Sequence, residues 1–299
     1  MSAKKIGSSM LLTLTALIWG VAFVAQSVGM DYVGPYTFNA ARFLIGGIVL
    51  LPAVYFFNRK KVDPQSIKIG IIGGLCCGAC LSVASTLQQV GILHSDSVGK
   101  VGFITSLYII LVPLLGIFLR KKVTVNVWIS VAIAAVGMYL LCINDSFRLQ
   151  LGDGLVVLCA AAFSVHILVI DYFSPKADGV LISCIQFFVA GLFCTVLTLL
   201  FEEPSVKNLL AAKGPILYAG VLSSGVGYTL QVVAQKNIEP TIASLIMSLE
   251  SVFSLVAGVF LLNQLLSGRE TIGCVLVFAA IILAQLPGKK LQSANLSEK

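Results

Sequence analysis

Charged residues are scarce in this 299-residue chain. Asp, Glu, Lys and Arg make up 11% of it, whereas about a quarter of a typical globular domain is charged. Hydrophobic residues make up 58%, and the mean hydropathy is +0.99. This composition excludes an ordinary water-soluble domain and is typical of a protein that spans a lipid bilayer.

Long polar connections are also missing. A helix needs about 20 mainly apolar residues to cross the hydrocarbon core of a bilayer, and short links leave no room for a soluble catalytic domain. We interpret the first segment as a retained transmembrane helix, because its apolar run continues to Val28 and nine further segments follow. The ten predicted segments are 8–28, 36–57, 67–91, 98–119, 125–143, 153–172, 180–201, 214–235, 240–262 and 270–287.

The sequence offers little for enzyme chemistry. Its two histidines, His94 and His166, have no neighbouring residues with which to form a catalytic triad. Cys77 and Cys80 match a C-x-x-C pattern, but they lie inside the third segment without a second pair at metal-ligand spacing. We therefore predict that the protein is not an enzyme and has no catalytic residue, no metal site and no cofactor.

The positive charge is distributed unevenly along the chain. The formal net charge is +7, and 14 of the 20 Lys and Arg residues fall on one side of the membrane if the N-terminus is cytoplasmic. An excess of Lys and Arg in cytoplasmic loops is the usual rule for membrane proteins. The basic clusters thus orient the helices, with both termini cytoplasmic, and do not indicate a nucleic-acid partner.

The chain contains an internal repeat. Residues 106–119 align with residues 248–261 at an offset of 142, and residues 86–88 align with residues 229–231 at an offset of 143. One gap joins the two matches, so we favour a duplication of five segments over a chance match between apolar helices.

Five is an odd number, so the second copy must enter the membrane from the opposite side. The predicted fold is an all-α membrane protein with ten transmembrane helices, arranged as two inverted five-helix repeats over residues 1–146 and 147–299. Inverted repeats recur in secondary transporters, where the substrate site lies between the repeats near the bilayer midplane.

Four stretches resemble the EamA type of the drug/metabolite transporter superfamily. The resemblance covers nearly the whole chain and implies a bacterial inner-membrane carrier that moves small organic metabolites, often outward. It also implies a central cavity formed by the first, third, fourth, sixth, eighth and ninth helices. Asn263 and Gln264 depart from a Gly-Glu pair found in many members, so any gating role of that glutamate is absent or different here. The four stretches are ALIWGVAFVAQ, the ARFLIGG pattern after Pro35, LYIILVPLLG and LESVFSLVAGVFLLNQ.

One face of the first helix carries candidate substrate-binding residues. Trp19, Ala22 and Gln26 share this face. An offset of 144 aligns Trp19 with Phe163 and Ala22 with His166, so two aromatic side chains from equivalent helices could form opposite walls of a cavity. The alternative is that Trp19 only packs against neighbouring helices.

Polar side chains also recur in the third and eighth segments. Gln88 aligns with Gln231, and Tyr228 lies one turn before Gln231. Polar groups at this depth either form hydrogen bonds between helices or line a polar cavity. Because long amides occupy both equivalent positions, we predict that they line the cavity.

The fourth and ninth segments pair a phenol with a carboxylate, because Tyr108 aligns with Glu250. Counting about 1.5 Å per residue from Glu239 places Glu250 about 16 Å deep, near the bilayer centre. Ser248 lies beside it. Ionisable groups at this depth are costly and usually functional, so we predict that Glu250 couples transport to protons. The alternative is a neutral, hydrogen-bonded structural residue.

Arg42 interrupts an apolar stretch of the second segment. It lies about 9 Å below the outer end of that segment, from where its side chain could reach the interface. Asn39, one turn away, is an expected hydrogen-bond partner. We predict a structural anchor and keep a substrate contact as the alternative.

These observations favour a secondary active transporter. We expect a small organic solute, amino-acid-like or an amine, moved by alternating access and exported with proton coupling or by exchange. The lipid bilayer of the cell (inner) membrane is the other expected partner, and a homodimer is the assembly to test. An intramembrane enzyme and a non-transporting membrane component are the alternatives.

The topology can be tested by cysteine labelling. We predict that residues 94–97 and 147–150 face outward and that residues 59–61 and 120–122 face inward. Single cysteines introduced there, in a version without native cysteines, should react accordingly with a membrane-impermeant maleimide. Labelling at residues 120–122 from outside intact cells would contradict this orientation.

Overall fold

A computed structural model describes residues 3–57, 63–95, 98–121, 123–142, 151–262 and 267–286, and nearly all of these residues lie in helices. Within these residues, nine helices are long and apolar enough to cross a bilayer, and a tenth is apolar over Val125–Leu140. The ten are α1 (Ala3–Met30), α2 (Pro35–Phe57), α3 (Pro64–Leu93), α4 (Val98–Thr105 and Tyr108–Phe118), α5 (Val125–Cys142), α6 (Leu151–Phe173), α7 (Gly179–Phe201), α8 (Lys213–Gln235), α9 (Pro240–Met247 and Leu249–Leu262) and α10 (Gly268–Gln285).

Each predicted segment corresponds to one of these helices, so the all-α fold class is confirmed. Several helices are longer than predicted, because polar caps extend them beyond the apolar stretch. At the start of α3, for example, the Asp63 side chain accepts hydrogen bonds from the backbone amides of Gln65 and Ser66. Pro64 then occupies the first helical position, where a missing N–H costs nothing.

Some predictions lie outside the described residues. These are the repeat boundary between residues 146 and 147, the departure at residues 263–264, and the loops at 59–61 and 147–150. They remain predictions.

The packing of the helices has the symmetry of two five-helix units. Helix α1 packs against α8 and α9, and its counterpart α6 packs against α3 and α4. The equivalent helices α2 and α7 pack against each other, as do α5 and α10. Where α2 and α7 cross, the rings of Phe43 and Phe187 stack with centroids 6.2 Å apart and an interplanar angle of 9°. These two residues are related by the offset of 144, so the pseudo-twofold axis passes between them.

The same crossing contains one contact made twice. A Cβ on Gly47 would lie 3.1 Å from Phe188 Cε2, and a Cβ on Gly191 would lie 2.8 Å from Leu44 Cδ2. Gly191 is equivalent to Gly47, and Phe188 is equivalent to Leu44, at the offset of 144. Small residues at both points let α2 and α7 approach closely.

Helices α4 and α9 are interrupted at equivalent positions. The regular helix breaks at Ser106 in α4 and at Ser248 in α9, which are related by the offset of 142. At each break the chain tightens, since the amide of Ile109 donates to the Ser106 carbonyl and the amide of Ser251 donates to the Ser248 carbonyl. Irregular backbone at membrane depth is tolerated only where protein or a cavity surrounds it.

Helix α8 is irregular in another way, because residues Tyr218–Tyr228 form a π-helix. Its carbonyls accept hydrogen bonds from a neighbouring helix: Trp19 Nε1 donates to the Ser223 carbonyl at 3.2 Å, and Thr15 Oγ1 donates to the Gly227 carbonyl at 3.2 Å. Such π segments often occur at functional sites. Here the π-helix fixes α1 against α8.

Gly20 provides a test of the contact between α1 and α9. A Cβ at this position would lie 2.7 Å from Phe253 Cβ and 2.8 Å from the Glu250 carbonyl oxygen. We expect Gly20→Ala to lower the melting temperature of the purified protein, because overpacking typically costs about 1–3 kcal/mol. Alanine is otherwise the better helix former.

Gly7→Ala is the matched control. Gly7 lies in the same helix, but a Cβ there would meet nothing within 4 Å. Its melting temperature should stay unchanged or rise slightly. If Gly20→Ala is as stable as Gly7→Ala, the close approach of α1 and α9 is wrong.

Candidate functional site

A cavity of about 480 Å³, including its opening, lies between the two units. Its wall is formed by α1, α3, α4, α6, α8 and α9, with one residue from α2. These are the six helices that the resemblance implies, plus α2. The lining residues are Trp19, Ala22, Phe23, Gln26, Arg42, Gln88, Thr105, Tyr108, Phe163, Ile167, Ser223, Tyr228, Gln231, Met247 and Glu250.

In the cavity wall, a hydrogen bond joins two residues that occupy equivalent positions in the two units. Tyr108 Oη donates to Glu250 Oε1 at 3.0 Å, and both side chains are buried. Two equivalent positions can touch each other only near the pseudo-twofold axis. The hydroxyls of Ser106 and Ser251 lie 3.2 Å apart on the same pair of helices. The helix breaks thus bring the candidate coupling residue Glu250 to the interface between the two units.

Aromatic rings line another part of the cavity. The rings of Trp19 and Tyr228 lie 4.5 Å apart between centroids, and the Trp19 indole is held by its hydrogen bond to Ser223. Phe163, the residue equivalent to Trp19, also lines the cavity. The structure therefore brings these three predicted residues together, and their binding of a substrate remains a prediction.

The predicted amides lie in the wall as well. Gln88 Nε2 donates to Thr105 Oγ1 at 3.4 Å, and Gln26 Nε2 donates to the Ala22 carbonyl at 3.3 Å. The Oε1 atoms of Gln26 and Gln231 are buried without a hydrogen-bond partner among the described residues. Buried polar atoms without partners are costly, so these oxygens are candidates to accept hydrogen bonds from a ligand or water.

Two of the predicted binding residues lie outside the cavity lining. Ser248 Oγ donates to the Leu245 carbonyl at 2.7 Å, because the hydroxyl satisfies the helix break. His166 is fully buried, with Nε2 3.0 Å from Gln186 Oε1 and its ring against Tyr228. The structure thus places both residues outside the described lining, and the His166 ring contacts Phe163 and Tyr228, which belong to it.

The Arg42 side chain lies inside the bundle, although its position in α2 would also let it reach the outer interface. Only 2% of this residue is exposed, and it lines the cavity. Arg42 Nε donates to Asn39 Oδ1 at 2.8 Å, as expected from their spacing, and this bond turns the guanidinium inward. The assigned role of a structural anchor remains a prediction.

Sequence reasoning missed the residue of the second unit that is equivalent to Arg42. The offset of 144 aligns Arg42 with Gln186, in the same way that it aligns Ala22 with His166. The first unit thus presents an arginine to the cavity, whereas the second holds a buried glutamine and histidine pair at the corresponding place. The offset of 144 is visible in the sequence. The polar residues of α7 alone gave no reason to align this helix with α2.

A ten-helix bundle with a polar cavity between two five-helix units is an architecture that recurs among membrane transporters. The chain belongs to the EamA-like transporter family, whose model matches residues 7–143 and 150–286. The predicted family is therefore confirmed, and the two matches fit the two five-helix units.

Relatives along the whole chain have transporter names. An uncharacterized transporter of Archaeoglobus fulgidus is 28% identical over 288 residues, which is 95% of this chain and 87% of that relative. The uncharacterized transporter YwfM of Bacillus subtilis is 23% identical and covers 96% of both chains. These names, the family match and the apolar helices indicate a multi-pass membrane transporter.

A solved structure supports the fold alone. A protein crystal structure matches with a TM-score of 0.74 at 18% identity, over 93% of this chain and 96% of that one.

The bond between Tyr108 and Glu250 can be tested by a double-mutant cycle. Tyr108→Phe leaves the buried Glu250 Oε1 without its donor, which should cost about 1–3 kcal/mol and lower the melting temperature. In the Tyr108→Phe, Glu250→Gln double variant, we expect the two changes to be non-additive, because residues in direct contact are coupled.

Tyr218→Phe is the control for this cycle. Tyr218 Oη donates to the Ile18 carbonyl and does not line the cavity, so its effect should add to that of Glu250→Gln. Additive effects of Tyr108→Phe and Glu250→Gln would contradict the contact.

Proposed function

We propose that this protein is a secondary active transporter that moves a small organic solute, amino-acid-like or an amine, by alternating access. The observation that carries the proposal is the cavity between the two units, in which equivalent residues of α4 and α9 meet. The transported solute occupies this cavity. The direction is outward, in keeping with the family resemblance.

The chemistry of the wall favours a small solute with a polar end. The rings of Trp19, Phe163 and Tyr228 offer apolar contact and can attract an ammonium group. The amides and Glu250 provide hydrogen bonds that orient the polar end.

Alternating access needs contacts that hold one end of the bundle closed. Lys121, just after α4, forms an ion pair with Asp171 of α6, at the end that the positive-inside rule places in the cytoplasm. The offset of 144 aligns Asp171 with Ser27 of α1, which cannot form an ion pair. This difference supports a closure at the cytoplasmic end that is stronger than the equivalent one outside.

The opposite end has a contact of another kind. The Glu202 carboxylate at the end of α7 accepts hydrogen bonds from the backbone amides of Tyr36 and Thr37 at the start of α2. A carboxylate is favourable at a helix N-terminus, where free N–H groups and the helix dipole attract negative charge. We propose that this cap keeps α2 and α7 together while the other helices move.

Glu250 is the proposed coupling residue. It is the acidic residue among the described lining residues, and its bond to Tyr108 joins α9 to α4. When the carboxyl group takes up a proton, it loses a negative charge and gains a donor, so its contact with α4 changes. Proton uptake on one side and release on the other would then drive the solute.

The test is transport in liposomes with a pH gradient as the sole driving force. Glu250→Gln keeps the shape of the side chain and resembles its neutral form. We expect this variant to fold but to lose gradient-driven accumulation from a mixture of radiolabelled amino acids and small amines. Exchange across the membrane without a gradient should continue.

Glu270→Gln is the matched control. Glu270 forms a capping box with Ser267 at the start of α10, and glutamine is also accepted at that position. It should transport like the natural protein. If Glu250→Gln still accumulates solute from a pH gradient alone, Glu250 is not the coupling residue. If the natural protein moves no solute, the proposed function is wrong.

A further inference from the structure

We infer that the substrate carries a carboxylate group and that Arg42 binds it. This inference rests on the proposed function and narrows it, since it selects amino-acid-like solutes and other organic acids over plain amines.

The first argument is the position of the guanidinium group. Arg42 is 2% exposed and lines the cavity, and its Nη2 atom is buried without a hydrogen-bond partner among the described residues. Buried polar groups are nearly always paired, and a charged one is the most costly to leave alone. A group held in this state next to a cavity is suited to a partner that enters the cavity.

The second argument is charge. In the described part of the chain, no carboxylate forms an ion pair with Arg42, and the acidic residue of the cavity, Glu250, bonds to Tyr108. A buried cation inside a membrane protein normally pairs with an opposite charge or with backbone carbonyls. An anionic group on the solute would supply that charge.

The third argument is preorganisation. Arg42 Nε donates to Asn39 Oδ1, and Asn39 Nδ2 in turn donates to the Ser85 carbonyl at 3.1 Å. The guanidinium carbon also lies 4.5 Å from the centroid of the Phe43 ring. These contacts hold one edge of the planar group and leave the other edge for a ligand. A fixed guanidinium suits the two oxygens of a carboxylate better than a lysine ammonium would.

A purely structural role accounts for less of the arrangement. An arginine that only joined helices would direct its N–H groups to carbonyls of α3, α7 or α8. Asn39 makes the contact to α3 instead, and the equivalent residue Gln186 is neutral. The positive charge is therefore placed on one side of the cavity wall, and the described lining residues include no other arginine or lysine.

The test uses ligands that share a skeleton and differ in charge. Phenylalanine carries both charged groups, 3-phenylpropanoate carries the carboxylate alone, and 2-phenylethylamine carries the ammonium alone. Alanine, propanoate and ethylamine form a smaller set with the same differences. Binding is measured as the ligand-dependent rise in melting temperature of the full-length protein. We expect stabilisation by carboxylate-bearing members and none by the amines.

Comparing the amino acid with the simple acid of each set shows which kind of solute carries the carboxylate. If phenylalanine or alanine binds and the simple acid of the same set does not, the solute is a zwitterion. If the simple acid binds equally well, the carboxylate alone is sufficient.

Substitutions at Arg42 then separate recognition from folding. Arg42→Gln should weaken binding of the carboxylate ligands at least about tenfold, the loss expected for one charged hydrogen bond. Arg42→Lys keeps the charge but not the planar fork, so it should fold and bind with intermediate affinity. Arg269→Gln, the same change at a position outside the cavity lining, should bind like the natural protein.

Several outcomes would overturn the inference. Binding of the amines alone, or unchanged affinity of Arg42→Gln and Arg42→Lys for the acids, would show that Arg42 does not recognise a carboxylate. Failure of all six compounds to bind would also contradict it. Transport of the solute mixture in liposomes judges the proposed function separately, since that mixture contains amines as well.

Discussion

The hydrocarbon core of a bilayer provides no water, so the backbone polar groups that lie within it need partners inside the bundle. Ten helices satisfy this requirement for the backbone. The exceptions are the breaks at Ser106 and Ser248 and the π-helix of α8, all of which lie among other helices near the cavity. Side-chain hydroxyls and neighbouring indole or hydroxyl groups take up the carbonyls that these irregularities release. The same constraint makes the buried atoms without partners, in Arg42, Gln26 and Gln231, informative about what enters the cavity.

The two units are equivalent in backbone arrangement and different in chemistry. Tyr108 faces its counterpart Glu250 across the axis, and Arg42 corresponds to the neutral Gln186. Each unit therefore contributes one ionisable charge of opposite sign to the same cavity. A cavity of this kind can remain close to neutral when empty, because the two charges balance when Glu250 is ionised. In our proposals, the carboxylate of the solute neutralises Arg42 while Glu250 carries the proton.

Two kinds of contact occupy different parts of the bundle. Phe43 and Phe187 stack where α2 crosses α7, small residues allow a close approach there, and Glu202 caps α2 from the end of α7. The contacts around the cavity are different, since they depend on interrupted helices and on single hydrogen bonds. Interrupted helices can change angle at the break with little loss of packing. The α2 and α7 pair is thus suited to hold the units together while α4 and α9 move.

The sequence by itself determined the ten helices, the family and the equivalence of the two halves. Long apolar segments have one stable form in lipid, and the offset of 142 to 144 residues is visible without coordinates. It also identified Glu250, Tyr108, Trp19, Gln88 and Gln231 as candidate site residues, because they are polar or aromatic residues within otherwise apolar segments. Only the tertiary structure decided which of the candidates reach the cavity. A face of a buried helix can be directed to lipid, to another helix or to a cavity, and its residue pattern does not separate the last two. Arg42 therefore turned inward, held by Asn39, and His166 and Ser248 lay outside the described lining, because the choice depends on contacts with helices distant in the chain.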